Sequence, residues 1–148
     1  MALPIHNPAP DFTLPSTLGQ DFTLSQNMHE KACVLFFYPK DFTPGCTMEA
    51  CDFRDNIVQF SDLEIDVVGI SRDSIETHQK FRKAYNLPFH LLSDTDGKVA
   101  QQYGALYALF GVIRRITYLL DKNHTIVAVY ENLFDAKRHI KEILKKLK

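Results

Sequence analysis

The sequence predicts an α/β protein in which helices flank a mixed central sheet, with a β-hairpin at the N-terminus. First, the apolar run at residues 33–38 lacks polar alternation, as is typical of a strand that is covered on both faces. Second, strand-like segments alternate along the chain with segments whose apolar residues recur at helical spacing. Third, similar tetrapeptides at residues 11–14 and 21–24 flank a turn at residues 18–20 and predict the hairpin.

The elements after the buried strand follow from periodicity and capping signals. A helix is predicted from Thr47 to about Phe60, because apolar residues recur there on one helical face that also includes Cys46. A capping box at residues 73–76 opens another helix, which ends before Pro88. The remaining predicted elements are strands 65–70 and 91–92, a short helix 98–103, hairpin strands 116–120 and 126–130, and a final helix capped by Asp135.

Composition limits the classes of function. A chain of 148 residues with a hydrophobic fraction of 45% predicts a single domain, residues 1–148, with an ample core. The net charge of −1 disfavours nucleic-acid binding, which needs a positive surface. No apolar run approaches the length of about 18 residues that predicts a membrane span. Three cysteines and no visible secretory signal predict a reducing, cytoplasmic location, where cysteine pairs are usually catalytic.

Cys46 is the strongest candidate for a reactive residue. It follows the buried strand and a short Pro/Gly turn, at a predicted helix start. Unpaired backbone N–H groups and the positive end of the helix dipole both favour a thiolate there. Cys46 is therefore the predicted nucleophile, and Cys51 lies in the same predicted helix.

Two other interpretations of these cysteines are a structural role and metal binding. A cysteine is often only a small buried hydrophobe, and this is the prediction for Cys33 in the apolar strand. Metal binding is disfavoured by ligand counting, because an iron–sulfur cluster usually needs four thiolates and the six histidines are scattered. No metal or other cofactor is therefore predicted.

The residues around Cys46 carry a family resemblance. Pro39, Thr43 and Cys46 match the P-x-x-x-T-x-x-C signature of peroxiredoxins, and residues 37–47 together with Cys51 resemble the Q-type branch, also called bacterioferritin comigratory proteins. Residues 9–14, 69–74, 87–94 and 115–121 are similar to further segments of the family, so that the resemblance covers nearly the whole chain. It implies a thioredoxin-like fold with an N-terminal extension.

The resemblance also implies a set of roles at the site. Arg115 and Thr43, with the backbone N–H groups around Gly45 and Cys46, would stabilise the charge that develops on a peroxide, and Pro39 would shield the sulfur. Arg114 is adjacent, but strand alternation sends neighbouring side chains to opposite faces, and the family pattern selects Arg115. Glu49 has two interpretations, as the residue that holds the arginine or as a solvent-facing carboxylate.

Cys51 is the resolving cysteine that the resemblance implies, with hydrogen peroxide or an organic hydroperoxide as the substrate. In an ideal helix, five residues separate the two Cα atoms by about 8.6 Å. A disulfide tolerates at most about 7 Å, so the helix has to unravel locally before the bond forms. Thioredoxin or a similar dithiol is the implied reductant, which the sequence itself does not identify.

One segment departs from the Q-type pattern. Residues 105–113 form a short apolar stretch before Arg115, where many Q-type sequences carry a longer polar segment. This stretch has three interpretations, as core, as a pocket wall or as a dimer surface, and the predicted state is a monomer or a weak homodimer.

Two alternative functions of the protein stay open. One is a thioredoxin-like dithiol oxidoreductase, which is disfavoured by the lack of a C-x-x-C motif, and the other is a non-enzymatic redox sensor.

Overall fold

Strands and helices alternate through most of the chain in the computed structural model. The structure describes the backbone of residues 1–107, 111–131 and 136–147, with side chains throughout except at residues 136–139 and 147. The described strands are β1 (Thr13–Pro15), β2 (Asp21–Thr23), β3 (Ala32–Phe37), β4 (Ile65–Ser71), β5 (His90–Ser93), β6 (Ile116–Leu120) and β7 (Ile126–Tyr130). The described helices are α1 (Leu24–Asn27), α2 (Pro44–Asp55), α3 (Ile57–Asp62), α4 (Ile75–Tyr85), α5 (Lys98–Gln102) and α6 (Ala136–Leu147).

A mixed five-stranded sheet in the order β5-β4-β3-β6-β7 forms the centre of the fold. β3 pairs parallel with β4 and antiparallel with β6, whereas β1 and β2 form a separate antiparallel hairpin. In the hairpin turn Gly19 has a φ of 88°, a left-handed conformation that glycine adopts without strain. The predicted α/β fold with a mixed sheet and an N-terminal hairpin is confirmed.

Both faces of β3 are buried, as its sequence predicts. Cys33, Leu35 and Phe37 pack into one core with the N-terminal hairpin and α5. Their neighbours on β3 point to the opposite face and pack into a second core with α2, α4 and α6. We refer to these as the hairpin-side core and the α2-side core.

The helix predicted from Thr47 to about Phe60 is in fact two helices. α2 begins at Pro44, three residues earlier than predicted, and ends at Asp55, and α3 follows after Asn56. Asn56 separates the two helices with a φ of −109° and a ψ of 9°, outside helical values, and its side-chain amide donates to the Asp52 carbonyl at 2.8 Å. Such local bonds of asparagine side chains compete with the regular helical pattern.

The capping residue of α4 lies one position later than the predicted box. Ser74 is the N-cap, and its hydroxyl accepts from the Thr77 N–H. The helix ends at Tyr85 because Asn86, with a φ of 52°, turns the chain into the left-handed conformation before Pro88. Asp73 does not cap the helix, and accepts instead from Ser71 and from the backbone of Asp41.

The remaining predicted elements lie close to their predicted positions. β6 and β7 form the antiparallel hairpin predicted at residues 116–120 and 126–130. The last helix spans Ala136–Leu147, whereas its predicted cap, Asp135, lies outside the described residues. None of the helices in the described segments has the length and hydropathy needed to cross a bilayer.

Candidate active site

Cys46 lies in the first turn of α2, and only 2% of its surface is exposed. Pro44 begins the helix, a common arrangement because proline has no N–H to leave unpaired at that position. Gly45 and Cys46 belong to the first turn of α2. The backbone N–H groups of this turn have no carbonyl acceptor within the helix. The thiol therefore lies at the positive end of the helix dipole, beside backbone donors that can stabilise an anion.

Arg115 reaches Cys46 because β6 pairs antiparallel with β3. The register places Ile116 opposite Phe37, so Arg115 lies beside the carboxyl end of β3, where the loop to α2 begins. Its Nη2 donates to Cys46 Sγ at 3.2 Å, and 7% of the residue is exposed. Burial acts to lower the pKa of Arg115, but the charges of Glu49 and Cys46 outweigh it and raise that pKa.

Glu49 accepts a hydrogen bond from the other terminal nitrogen of the Arg115 guanidinium. Arg115 Nη1 donates to Glu49 Oε1 at 2.5 Å, and Glu49 is fully buried one turn after Cys46. Glu49 Oε2 is buried with no hydrogen-bond partner among the described residues. Burial raises the pKa of Glu49 to about 7, although Arg115 acts in the opposite direction. Of the two interpretations of Glu49 from the sequence, the structure shows the arginine-holding one.

Gly45 allows this close approach of the arginine. A Cβ atom at this position would lie 3.2 Å from Arg115 Nη2, which is tighter than ordinary contact. A larger residue would therefore push the guanidinium away from the sulfur. From the sequence only the N–H of Gly45 has a predicted role, because the contact of Gly45 with Arg115 joins residues that are distant in sequence.

Thr43 and Pro39 lie in the loop between β3 and α2. Thr43 is at the N-cap position of α2, but its hydroxyl donates to the Lys40 carbonyl at 2.7 Å and does not cap the helix. With its hydrogen engaged, the Thr43 oxygen can still accept a hydrogen bond. Pro39 is half-buried at the start of the loop, and its proposed contact with the sulfur stays a prediction.

Arg114 has entirely different surroundings from Arg115. Its Nη2 donates to Glu131 at 2.9 Å, and its Nη1 donates to the Gly104 carbonyl at 3.2 Å. The guanidinium also lies 5.7 Å from the ring centroid of Tyr107. The structure therefore brings only one of the two adjacent arginines to Cys46.

The other two cysteines differ in accessibility. Cys51 is half-buried in α2, and all three cysteines are free thiols. Cys33 is fully buried in the hairpin-side core, across the sheet from Cys46. Burial, with a smaller contribution from Asp66, raises the pKa of Cys33 to about 12, as expected of an unreactive core thiol.

The apolar stretch before Arg115 is divided between core and surface. Ala105 and Ile113 are buried in the hairpin-side core, whereas Tyr107 and Val112 are 43% and 46% exposed. Residues 108–110 lie outside the described residues. Part of this stretch is therefore core, and the other two interpretations stay open.

The sequence is also similar to those of known proteins. Residues 5–129 match the model of the AhpC/TSA family. The chain belongs to this family. It is 48% identical over 139 residues to a chloroplastic peroxiredoxin Q from Sedum lineare, a match that covers 93% of this chain and 74% of the relative. Among similar relatives the share of their length that is covered ranges from 63% to 100%.

Solved structures agree with this assignment. Peroxidoxin BcpB from Mycobacterium tuberculosis matches with a TM-score of 0.89 and 35% identity, over 97% of this chain and 95% of that one. The Xanthomonas campestris bacterioferritin comigratory protein, studied for its alkyl peroxide reduction activity, matches with a TM-score of 0.83 and 28% identity, over 92% and 89% of the two chains. The predicted family and thioredoxin-like fold are confirmed, and the protein is a peroxiredoxin enzyme with thiol peroxidase activity.

Proposed function

We propose that Cys46 reduces hydrogen peroxide and organic hydroperoxides by direct attack on the distal oxygen. A sulfur–oxygen bond forms as the oxygen–oxygen bond breaks, and the leaving oxygen takes a proton to become water or an alcohol. The sulfur is thereby oxidised to a sulfenic acid and the peroxide is reduced. The contact between Arg115 and the Cys46 sulfur, inside a buried site, is the observation that supports this proposal most directly.

The groups around Cys46 would stabilise the transition state of this attack. Negative charge moves from the sulfur to the leaving oxygen, and fixed donors that follow this movement lower the barrier. Arg115, held by Glu49, and the N–H groups of the first turn of α2 provide such donors. Thr43 would accept a hydrogen bond from the peroxide, and Pro39 would limit the access of water.

Cys51 would complete the oxidative half of the cycle. Its thiolate attacks the sulfenic sulfur, so that a Cys46–Cys51 disulfide forms and water leaves. Because α2 is a regular helix in the reduced protein, this step requires the helix to open around the two cysteines. Thioredoxin or an equivalent dithiol would then reduce the disulfide and return both thiols.

We further propose that residues 1–148 form one domain, active as a monomer or a weak homodimer in a reducing compartment such as the cytoplasm. The two cores share a single five-stranded sheet, which supports one domain. Sedimentation of the reduced and oxidised protein at several concentrations would test the oligomeric state.

Peroxide consumption with a dithiol reductant tests the proposed function. Cys46→Ser should abolish consumption of both hydrogen peroxide and a bulky organic hydroperoxide, because serine removes the reacting thiolate from an otherwise similar side chain. Cys33→Ser is the matched control, since Cys33 lies across the sheet, and it should keep the activity. Activity in Cys46→Ser within about tenfold of wild type would assign the nucleophile to another residue.

The same assay separates the alternatives. A dithiol oxidoreductase would reduce protein disulfides without consuming peroxide. A redox sensor would consume about one equivalent of peroxide and turn over poorly even with excess reductant. Steady turnover of peroxide with the dithiol would support the peroxidase over both.

A further inference from the structure

A second cluster of buried polar side chains lies beneath the loop that leads to Cys46. Tyr38, Asp41 and His78 are each at most 3% exposed; Tyr38 directly follows β3, Asp41 is in the loop and His78 is in α4. Tyr38 Oη donates to Asp41 Oδ1 at 2.6 Å, and His78 Nδ1 lies 2.6 Å from Asp41 Oδ2. His78 Nε2 lies 2.9 Å from the Leu92 carbonyl oxygen. We call these three side chains the Tyr38–Asp41–His78 triad.

The partners of His78 determine where its hydrogen atoms lie. The Leu92 carbonyl only accepts, so Nε2 must carry a hydrogen. A bare Nδ1 against an ionised Asp41 would set two lone pairs against each other at 2.6 Å in a buried place. One hydrogen therefore lies between Nδ1 and Oδ2, either as imidazolium and carboxylate or as imidazole and carboxylic acid.

The triad side chains bond to one another and do not form a metal site with the neighbouring Asp73. Ligand atoms of Asp41, Asp73 and His78 lie within 4.8 Å of one another, which is close enough for a single cation to contact all three. A cation bound by Asp41 and His78 would have to separate two atoms that are 2.6 Å apart and already share a hydrogen. The cluster is therefore a hydrogen-bonded network that connects the loop to the sheet and to α4.

The triad holds the loop at the residue before its most unusual backbone conformation. The Asp41 N–H donates to Asp73 Oδ2 at 2.9 Å, so both the backbone and the side chain of Asp41 are fixed. Phe42, the next residue, has a φ of 64°, in the left-handed region that residues other than glycine rarely adopt. Thr43 and the first turn of α2 follow directly. Such a conformation persists only where the surrounding contacts enforce it.

We propose that the hydrogen shared by Asp41 and His78 positions the loop that carries Thr43 and leads to Cys46, so that His78 is a positioning residue for peroxide reduction. This inference rests on the proposed function of Cys46. Without that hydrogen, the hydrogen bond that connects Asp41 to His78 in α4 would be lost. The chain around Phe42 would relax, and Thr43 would shift relative to the sulfur. His78 itself touches neither Cys46 nor Arg115 among its described hydrogen bonds.

Two substitutions of His78 separate its two contacts. Asparagine places an amide N–H near the position of Nδ1 and keeps a donor for Asp41, whereas glutamine places it near Nε2 and keeps only the contact with Leu92. Asp41→Asn supplies an amide hydrogen to a neutral His78, so it restores the contact without a titratable proton. His78→Asn and Asp41→Asn should therefore keep most of the rate of Cys46 oxidation. His78→Gln should lose about 10²-fold, the scale of a small misplacement of catalytic groups.

The rates are measured on the full reduced chain by rapid quenching and peptide mass spectrometry, with hydrogen peroxide and, in parallel, with iodoacetamide. Alkylation needs the thiolate but not the peroxide-binding groups, so the alkylation rate of Cys46 should stay close to wild type in all three variants. Equal peroxide rates in His78→Asn and His78→Gln would overturn the proposal. So would faster alkylation in His78→Gln, which would indicate a loosened fold, or a loss of rate in Asp41→Asn. Failure of the wild-type Cys46 to oxidise would instead overturn the proposed function.

Discussion

At the scale of single residues, the site depends on which side chains the fold brings together around one sulfur atom. Arg114 and Arg115 are adjacent and chemically identical, yet one forms an ion pair with Glu131 near the surface and the other lies between Glu49 and Cys46. The difference arises because the chain enters β6 at residue 116, and only one of two neighbouring side chains can face α2.

Arg115→Ala should lower the rate of Cys46 oxidation by about 10²-fold or more, the usual loss for one preorganised donor. Arg114→Ala is the matched control and should have a far smaller effect, because its contacts lie away from the sulfur. The measurement is the rate at which peroxide oxidises Cys46 before any disulfide forms. A larger loss in Arg114→Ala would contradict the observed arrangement.

The pH dependence of stability should report on Glu49. Burial raises its pKa from the ordinary value of 4.5 to about 7, so between these values the folded state holds a proton that the unfolded state has released. The free energy of unfolding should therefore fall as the pH rises through this range. Urea unfolding of the reduced protein at several pH values measures this dependence of the free energy of unfolding on pH.

Glu49→Gln cannot titrate, so this component of the pH dependence should disappear in that variant. Glu76→Gln removes an exposed carboxylate from the first turn of α4 and should leave the wild-type slope. An unchanged slope in Glu49→Gln would show that Glu49 stays ionised with Arg115 through this range.

At the scale of elements, α2 carries both the predicted nucleophile and its predicted resolving partner. The helix is anchored at its far end, because Phe53 is buried with its ring 4.6 Å from that of Phe36 and Arg54 donates to the Tyr85 carbonyl. Its first turns contain Gly45 and the exposed Met48. Opening from the N-terminal end therefore spares these anchors, although it separates the buried Cys46 and Glu49 from Arg115.

Peroxide treatment should produce an intramolecular Cys46–Cys51 disulfide and faster deuterium exchange in about residues 47–55. The reason is that the intact helix holds the two Cα atoms too far apart for the bond. Hydrogen-exchange mass spectrometry of the reduced and oxidised protein measures the change.

Cys51→Ser is the control for this opening. It should stop at the sulfenic acid, keep the exchange of the reduced protein, and proceed to sulfinic acid with excess peroxide. A disulfide between two chains, or one that includes Cys33, would argue against the resolving role. A confirmed Cys46–Cys51 disulfide with unchanged exchange would show that the bond forms without opening α2.

At the scale of the whole molecule, the central sheet separates two cores and thereby two kinds of cysteine. Cys33 is in the hairpin-side core, and Cys46 is in the α2-side core. Neighbouring residues of β3 point to opposite faces, so a thiol on the hairpin side has no path to the site through the folded protein. Reaction of Cys33 therefore requires the sheet itself to open.

Iodoacetamide should label Cys33 of the reduced, native protein only at the rate of global unfolding. Burial protects the Cys33 thiol and raises its pKa to about 12. Labelling of each cysteine in increasing urea, followed by peptide mass spectrometry, measures this. Cys51, which is half-buried, serves as the internal comparison and should react below the unfolding transition. Labelling of Cys33 together with Cys51 in native buffer would mean that the sheet opens locally.

Local patterns in the sequence were sufficient to predict most elements and their order. The buried strand, the hairpins and the helix start at Cys46 depend on periodicity, turn residues and capping, which act over a few neighbouring positions. Errors occurred where a side chain had a local bond that no periodicity reveals, as with Asn56 between α2 and α3. They also occurred where a residue bonds to a partner that is distant in sequence, as Asp73 does by accepting from the backbone N–H of Asp41.

The sequence by itself determined that this chain forms an α/β fold with a cysteine at a helix N-terminus, because hydrophobic spacing and helix capping are properties of short segments. Only the tertiary structure decided what surrounds that cysteine. The contact between Arg115 and Cys46 joins residues 69 positions apart, and the bond between His78 and Asp41 joins residues 37 apart. Such contacts depend on the register and order of the strands, and these result from packing the whole chain.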